Sequence, residues 1–221
     1  MIKIKRLISI GLLLTLAAGI AITAHISYRK KLYSRENMII ETPEDMKYLF
    51  IGDSRTMGLY LVSDGGSEDG IGWIAEGGIK LDWFKEYAEP IAREKIKKNI
   101  KLVVLLGVND ILGEEFGDEE NSDVDDYAET LNRVADKYSK KGVETYFVSV
   151  LPVDSSYSDL NADVEKFNEE IEKKLDECHY IDLYSEIIKE DFKTVDGLHF
   201  DVDSSSDIYD KLIDALNEED G

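Results

Sequence analysis

The apolar positions of this chain follow two alternating patterns. Short, almost wholly apolar runs, typical of buried strands, recur five times, at residues 47–51, 73–75, 101–106, 143–151 and 180–184. Between them, apolar residues recur at three- and four-residue spacing, which is typical of amphipathic helices, at 84–91, 127–138, 164–175 and 209–216. Strand then helix, repeated about five times, predicts an α/β fold with a parallel sheet covered by helices on both faces.

One apolar stretch is too long for this pattern. Residues 7–26 contain no Asp, Glu, Lys or Arg, and at ~1.5 Å per residue a helix of this length crosses a ~30 Å hydrocarbon layer. Residues 1–6 form a short basic tail before it. A cleaved signal peptide usually has a shorter apolar stretch and a small-x-small site, for which Gly19-Ile20-Ala21 is a poor match. The pattern predicts a single-pass transmembrane anchor with the rest of the chain extracellular, or a secreted protein if this segment is cleaved.

The remaining residues divide into a linker and a folded domain. Residues 27–45 are polar and mixed in charge, which indicates a linker, and the domain is predicted to span 46–221. Hydrophobic residues make up 43% of the chain and charged residues 33%, as in a folded globular protein. Cys178 is the one cysteine, so no intrachain disulfide forms, and we expect a buried small side chain there.

The charge distribution excludes one class of partner. The net charge is −21, and seven of the 26 basic residues lie in the first 35 positions, which hold no acid, so the rest has 19 basic against 47 acidic residues. Such a domain is repelled by phosphate backbones, and nucleic-acid binding is not expected. The acidic stretches at 114–126 and 201–210 lack the glycine and closing glutamate of an EF-hand, so no metal site is predicted.

Candidate chemistry lies directly after the predicted strands, where ligands bind in parallel α/β folds. The first strand runs into Gly52-Asp53-Ser54, and a serine at this point presents its hydroxyl beside free backbone N–H groups. Asn109 follows the third strand, where its side-chain amide can face the same space. Alone, each pattern is equally typical of a helix cap or a turn.

The histidine positions narrow the choice of base. A serine nucleophile needs a general base, and the chain has three histidines. His25 lies at the end of the predicted anchor and His179 begins the fifth strand. His199 lies between the fifth strand and the last helix, three residues after Asp196, which can orient the imidazole.

Together these pieces carry a resemblance. Gly-Asp-Ser54, Gly107-Val-Asn109-Asp and Asp196-x-x-His199 resemble, in order and spacing, the pattern of SGNH (GDSL-type) hydrolases across about residues 46–217. The chain is similar to a small bacterial member, membrane-anchored or exported. The resemblance implies a three-layer α/β/α, flavodoxin-like sheet, with no metal or organic cofactor.

The family also implies a role for each matching residue. Ser54 would be the nucleophile, His199 the general base and Asp196 its orienting partner. The oxyanion hole would be formed by the Ser54 N–H, the Asn109 side chain and a glycine N–H. Gly77 and Gly78 both qualify, and Gly78 is chosen because it directly precedes a helix expected near Ile79. One departure is Glu76, which stands where the family often has asparagine.

The implied activity is hydrolysis of small acyl esters, with acetyl groups on carbohydrate as the expected substrate. Three alternatives stay open at this point: an O-acyltransferase with the same triad, a non-catalytic binding module on the same fold, and a flavodoxin-like nucleotide or flavin binder. The last requires a phosphate-binding loop, and residues 52–56 lack the glycine spacing of one.

Overall fold

The computed structural model describes residues 38–66, 70–115 and 123–218. The predicted tail, the predicted anchor at 7–26 and most of the predicted linker lie outside these ranges. Within them, no helix has both the length and the apolar character needed to cross a membrane. Met38–Gly221 forms one compact unit.

The unit is built on a six-stranded sheet. Its strands are β1 (Ile39–Glu41), β2 (Tyr48–Gly52), β3 (Ile71–Ala75), β4 (Lys101–Leu105), β5 (Glu144–Val148) and β6 (His179–Ile181), in the spatial order β1-β3-β2-β4-β5-β6. The pairs from β3 to β6 are all parallel, and only β1 runs antiparallel to its neighbour. The five parallel strands have the flavodoxin-like order, as expected.

β1 corrects the predicted strand count. About five strands were predicted, and residues 39–41 fell inside the predicted linker. Instead, Ile39–Glu41 pairs with Trp73–Ala75 along the sheet edge. The strand is three residues long and Ile40 is 44% exposed, so it has neither the length nor the buried pattern by which a strand is recognised in a sequence.

The helices connect the strands in chain order. They are α1 (Ser54–Val62), α2 (Leu81–Trp83), α3 (Glu89–Lys95), α4 (Val108–Glu115), α5 (Val124–Ser139), α6 (Ser158–Glu172), α7 (Tyr184–Ile187) and α8 (Val202–Glu218), with a 3₁₀ turn at Ser155–Tyr157. A π-helical turn, Phe84–Ala88, joins α2 to α3. Pro90 lies in the first turn of α3, directly after the π-helical turn, and the helical backbone continues through it to Lys95.

Two separate apolar cores establish three layers. One core contains Leu49, Ile51 and Leu102 of the sheet together with buried residues of the α2–α3 segment, α5 and α6. The other contains Phe50 and Val103, their neighbours in sequence, which point to the opposite face and pack against α1, α7 and α8. The predicted α/β/α arrangement is therefore confirmed, because alternate residues of one strand serve opposite cores.

One predicted helix start was displaced by two residues. The helix expected near Ile79 begins at Leu81, since Lys80 is still extended. The last helix begins at Val202, earlier than its apolar spacing from residue 209, and the Asp201 carboxylate accepts the Ser204 N–H at 2.9 Å. Asp201 therefore satisfies a backbone N–H of the first turn.

Candidate active site

The site lies where the strand order reverses. β3 lies on one side of β2 and β4 on the other, so the carboxyl ends of β2 and β4 border the crevice in which ligands of this fold class bind. Ser54 follows β2 directly, and Asn109 follows β4 within the first turn of α4. The topology thus brings together two residues that lie far apart in sequence.

Ser54 is the first residue of α1, and its hydroxyl is not used to cap the helix. Asp53 is the cap instead: its side chain accepts the Arg55 N–H at 2.8 Å. The tight turn requires glycine at position 52, since a Cβ there would lie 1.9 Å from Thr56 Oγ1 and 2.4 Å from the Leu105 carbonyl oxygen. The Ser54 hydroxyl is consequently free to bond across the site.

A short hairpin-like loop presents His199. Thr194 and Phe200 form an antiparallel bridge, and the Val195 N–H donates to the His199 carbonyl at 2.8 Å. Gly197 turns the loop with φ +89°, and a Cβ there would lie 2.3 Å from the Tyr157 ring, so glycine is required for both the conformation and the space.

Ser54, His199 and Asp196 form a continuous line of hydrogen-bonding groups. Ser54 Oγ lies 2.8 Å from His199 Nε2, and His199 Nδ1 lies 2.7 Å from Asp196 Oδ2. The other oxygen of Asp196 accepts the backbone N–H groups of Leu198 at 3.0 Å and His199 at 2.8 Å. The structure therefore brings all three predicted residues together.

The electrostatics of Asp196 favour its ionised form. Partial burial opposes the charge, but the His199 backbone N–H, the His199 side chain and the Leu198 N–H together lower the pKa of Asp196. The side chains of His199 and Asp196 are 39% and 52% exposed, so water reaches the imidazole directly. A carboxylate held in this way keeps the Nδ1 proton of a neutral imidazole in place and leaves Nε2 as the acceptor.

Two of the predicted oxyanion donors, Gly78 and Asn109, lie in the segments that follow β3 and β4. Asn109 Nδ2 donates to the Ile79 carbonyl at 3.0 Å and to Asp53 Oδ2 at 3.3 Å, so both of its N–H groups have internal partners. Gly78 has φ +70° and is half-exposed, whereas Gly77 is buried. Only Gly78 of the two thus presents its backbone partly to solvent.

Two buried acids near these donors, Asp53 and Glu76, were not predicted from the sequence. Asp53 is 2% exposed, and burial raises its pKa although the charge and the backbone N–H of Arg55 favour the ionised form. Glu76, also buried, accepts the Trp83 indole N–H at 2.6 Å. Glu76 departs from the family pattern, and the indole that donates to it lies on α2, where no sequence motif marks it.

The remaining candidate residues lie elsewhere. His179 is on β6 and stacks on Tyr146, with ring centroids 4.8 Å apart. Cys178 is buried, as expected, and burial raises the pKa of its thiol to about 12, so it is not a thiolate nucleophile at neutral pH. No group of His, Cys, Asp and Glu suited to hold a metal ion occurs among residues 38–66, 70–115 and 123–218.

Comparisons with known proteins agree with this architecture. The sequence matches no protein-family model and no curated protein. The structure is similar to a crystal structure of an acetyl xylan esterase, with a TM-score of 0.61, 20% identity, and coverage of 77% of this chain and 100% of that one. An acetylxylan esterase from Geobacillus stearothermophilus gives a TM-score of 0.59 at 15% identity, with coverage of 80% and 96%.

A third similar structure is a GDSL-like lipase from Bacteroides thetaiotaomicron. Its TM-score is 0.61 at 17% identity, and the match covers 80% of this chain and 90% of that one. Similarity at these identities establishes a shared fold. The chain therefore has the SGNH (GDSL-type) hydrolase fold, with Ser54, His199 and Asp196 lying together at the carboxyl edge of its sheet.

Proposed function

We propose that this protein is a serine esterase that hydrolyses small acyl esters, with acetyl groups on carbohydrate as its substrate class. The observation that carries the proposal is the line from Ser54 Oγ to His199 Nε2 at 2.8 Å and from His199 Nδ1 to Asp196 Oδ2 at 2.7 Å. Nucleophile, base and orienting carboxylate are each within hydrogen-bond distance of the next, which is the geometry that acyl transfer requires.

The first chemical step is acylation of Ser54. His199 Nε2 takes the hydroxyl proton as Ser54 Oγ attacks the ester carbonyl, and the resulting imidazolium is stabilised by Asp196 through Nδ1. The carbonyl oxygen becomes an oxyanion, and the imidazolium then protonates the departing alcohol. The products of this step are the free alcohol and an acyl-Ser54 ester.

The proposed oxyanion hole combines backbone and side-chain donors. The Ser54 N–H belongs to the first turn of α1, where N–H groups have no helical partner. Gly78 is the proposed glycine donor because its backbone is partly exposed. Asn109 is the third, and its 3.3 Å bond to Asp53 is the longer of its two contacts, so this N–H is the one that turns to the oxyanion.

Hydrolysis completes the cycle. His199 removes a proton from water, which attacks the acyl-Ser54 carbonyl, and Ser54 leaves with the proton from Nε2. The partial exposure of both His199 and Asp196 gives water access to this step. Acetyl esters are favoured by the similarity in fold to two acetyl xylan esterases.

The proposal extends to the location of the enzyme. Residues 7–26 contain no Asp, Glu, Lys or Arg, which supports a membrane anchor, and we propose that the catalytic unit lies outside the cell. Basic residues flank this stretch on both sides and do not set its orientation. Protease added to intact cells tests this directly. Complete protection of the catalytic unit in intact cells, with digestion after lysis, would contradict it.

The central test is hydrolysis of p-nitrophenyl acetate by the full-length chain and by Ser54→Ala and His199→Ala. Both variants are expected to lose at least about 10³-fold in kcat while keeping the parent's far-UV circular dichroism. A fluorophosphonate should label the parent on Ser54. An unlabelled, inactive parent would overturn the catalytic assignment and favour a binding module.

The same preparation tests the substrate class. Acetylated xylo-oligosaccharides and p-nitrophenyl esters of increasing chain length are compared by kcat/KM, with an unacetylated sugar added as acceptor. We expect acetyl esters to be preferred and free acetate to be the product. A strong preference for long-chain esters would overturn the acetyl assignment, and acetylated acceptor in place of acetate would identify a transferase.

A further inference from the structure

Arg55, the residue directly after Ser54, has a buried side chain whose guanidinium bonds to three backbone carbonyls. Its Nε donates to the Leu198 carbonyl at 3.1 Å, and its two terminal nitrogens donate to the carbonyls of Leu151 at 2.6 Å and Pro152 at 3.1 Å. One planar group therefore links three parts of the chain: the start of α1, the segment after β5, and the loop that carries His199.

The segment after β5 is itself held rigidly. We call residues 150–153 the strap. At one end Asn168 bonds both the N–H and the carbonyl of Val150, at 2.8 and 2.9 Å, and at the other Asn161 bonds both groups of Val153, at 2.9 and 2.8 Å. Between these ends, Arg55 donates to the carbonyls of Leu151 and Pro152, so every carbonyl of the strap accepts a hydrogen bond from a side chain.

The contact to the His199 loop is immediate. Leu198 precedes His199, and Phe200, which follows it, places its ring 5.0 Å from the guanidinium carbon. The residue directly after the strap also contacts this loop, since the Asp154 N–H donates to the Gly197 carbonyl at 2.9 Å. Both neighbours of His199 in the chain thus contact Arg55, Leu198 through its carbonyl and Phe200 through its ring.

We propose that Arg55 is a positioning residue that sets the distance between Ser54 and His199 by holding the His199 loop against the strap. The inference rests on the proposed esterase function. Ser54 and Arg55 are adjacent in one rigid turn, so the bond from Arg55 to Leu198 fixes the loop relative to the nucleophile itself. A shift of about 1 Å between reacting groups can cost about 100-fold in rate, so we expect loss of this bond to lower the rate of acylation.

Burial of the charge supports a positioning role over simple packing. Burial lowers the pKa of Arg55 to about 10, with Asp53 and Asp196 acting in the opposite direction. An apolar side chain of similar volume would fill the same space without desolvating a charge. Lysine would keep the charge but has a compact ammonium in place of the planar fork, and cannot reproduce three donors at these angles.

The experiment compares Arg55→Lys and Arg55→Ala with the parent and with Arg133→Ala, which removes an exposed arginine of α5. All are made in the full-length chain and assayed for kcat and KM with p-nitrophenyl acetate. Guanidinium chloride, at concentrations far below denaturing ones, is added to Arg55→Ala, with methylammonium chloride as the matched control. A cavity of about 30 Å³ borders Arg55 and Leu151, next to the space that Arg55→Ala vacates.

We expect both Arg55 variants to lose about 10- to 100-fold in kcat with KM changed by less than about 3-fold. Guanidinium, and not methylammonium, should restore part of the kcat of Arg55→Ala, and Arg133→Ala should match the parent. If Arg55→Ala fails to fold, the kcat and KM of Arg55→Lys test the proposal.

Three results would overturn the proposal: a parent-like kcat in Arg55→Lys, a loss confined to KM, or a folded Arg55→Ala that guanidinium does not restore. Its failure is distinguishable from failure of the esterase assignment. If the parent is active and Ser54→Ala is not, unchanged Arg55 variants overturn only the positioning role. An inactive, unlabelled parent overturns both.

Discussion

The two walls of the crevice differ in how far their catalytic groups are aligned before substrate binds. The base wall, residues 194–200, is partly exposed, and His199 already lies 2.8 Å from Ser54 Oγ and 2.7 Å from Asp196. The oxyanion wall, residues 76–79 with Asn109, is mostly buried, and its polar side chains already have partners: Glu76 accepts from Trp83, and Asn109 donates to Asp53 and to the Ile79 carbonyl. The proton-transfer groups are aligned in the free protein, whereas Asn109 must exchange an internal partner for the oxyanion.

This difference has an energetic consequence. Groups on the base wall need no rearrangement when substrate binds, so removing one removes its whole contribution to the rate. A donor on the oxyanion wall gives up a hydrogen bond to Asp53 as it gains one to the oxyanion, so its net contribution is smaller. We therefore expect substitutions on the base wall to cost more than those on the oxyanion wall.

The largest effect is expected from Asp196→Asn. The asparagine oxygen can still accept the N–H groups of Leu198 and His199, but its NH₂ group would face Nδ1 and favour the wrong imidazole tautomer. Steady-state kinetics should show kcat lowered by roughly 10⁴-fold, as in other serine hydrolases. Asp191→Asn, at a nearby exposed aspartate, is the control. A loss smaller than that of Asn109→Ala would reverse the order of the two walls.

A smaller loss is expected from Asn109→Ala. Removing one side-chain oxyanion donor typically lowers kcat by about 10²–10³-fold with little change in KM. Asn217→Ala serves as a matched control, because Asn217 accepts one hydrogen bond from Tyr48 on an exposed part of α8. If Asn109→Ala lost stability in urea and kept its kcat, Asn109 would be a structural link between Asp53 and Ile79 only.

The two walls also differ in how far the sequence predicted them. Ser54, Asp196 and His199 could be found because they lie in two short motifs after predicted strands, and these motifs keep the family's order. The partners of the oxyanion wall lie on different elements: Trp83 bonds to Glu76 across the turn from β3, and Asp53 bonds to Asn109 across two strands. Such bonds depend on sheet order, which no local pattern encodes.

The same distinction holds for the fold. The apolar run at 101–106 predicted β4 because both of its faces are buried, and all five residues of Lys101–Leu105 are. β1 was missed because an edge strand of three residues shows no such run. The helix start at Leu81 was misplaced by two residues, since the N–H of Leu81 is bonded by Asp110, which is distant in sequence.

A stability effect is expected from Trp83→Phe. The substitution keeps an aromatic ring but removes the N–H that Glu76 accepts at 2.6 Å, leaving a buried carboxylate short of a donor. The free energy of unfolding in urea should fall by about 1–3 kcal/mol. Trp83→Phe combined with Glu76→Leu should recover part of this loss. An additive double variant would show that the two side chains do not interact.

The smallest effect concerns two aspartates with opposite pKa shifts. Asp196, on the base wall, has a lowered pKa, so its ionised form stabilises the folded protein above the ordinary value of 3.8, and this stabilisation is lost as the pH falls through the lowered pKa. Asp53, buried beside the oxyanion wall, has a raised pKa because of burial. Its ionised form detracts from stability, and that cost is relieved as the pH falls through the raised pKa.

The two shifts predict opposite pH trends for two variants. Urea unfolding of the parent, Asp53→Asn and Asp196→Asn is compared between about pH 3 and pH 7. On acidification, the parent should lose its stability advantage over Asp196→Asn, since the carboxylate that distinguished them becomes protonated. Over the range above 3.8, the parent should instead gain relative to Asp53→Asn, because the buried charge is neutralised. If both differences moved in the same direction with pH, the donors around Asp53 would outweigh its burial, and the two walls would be electrostatically alike.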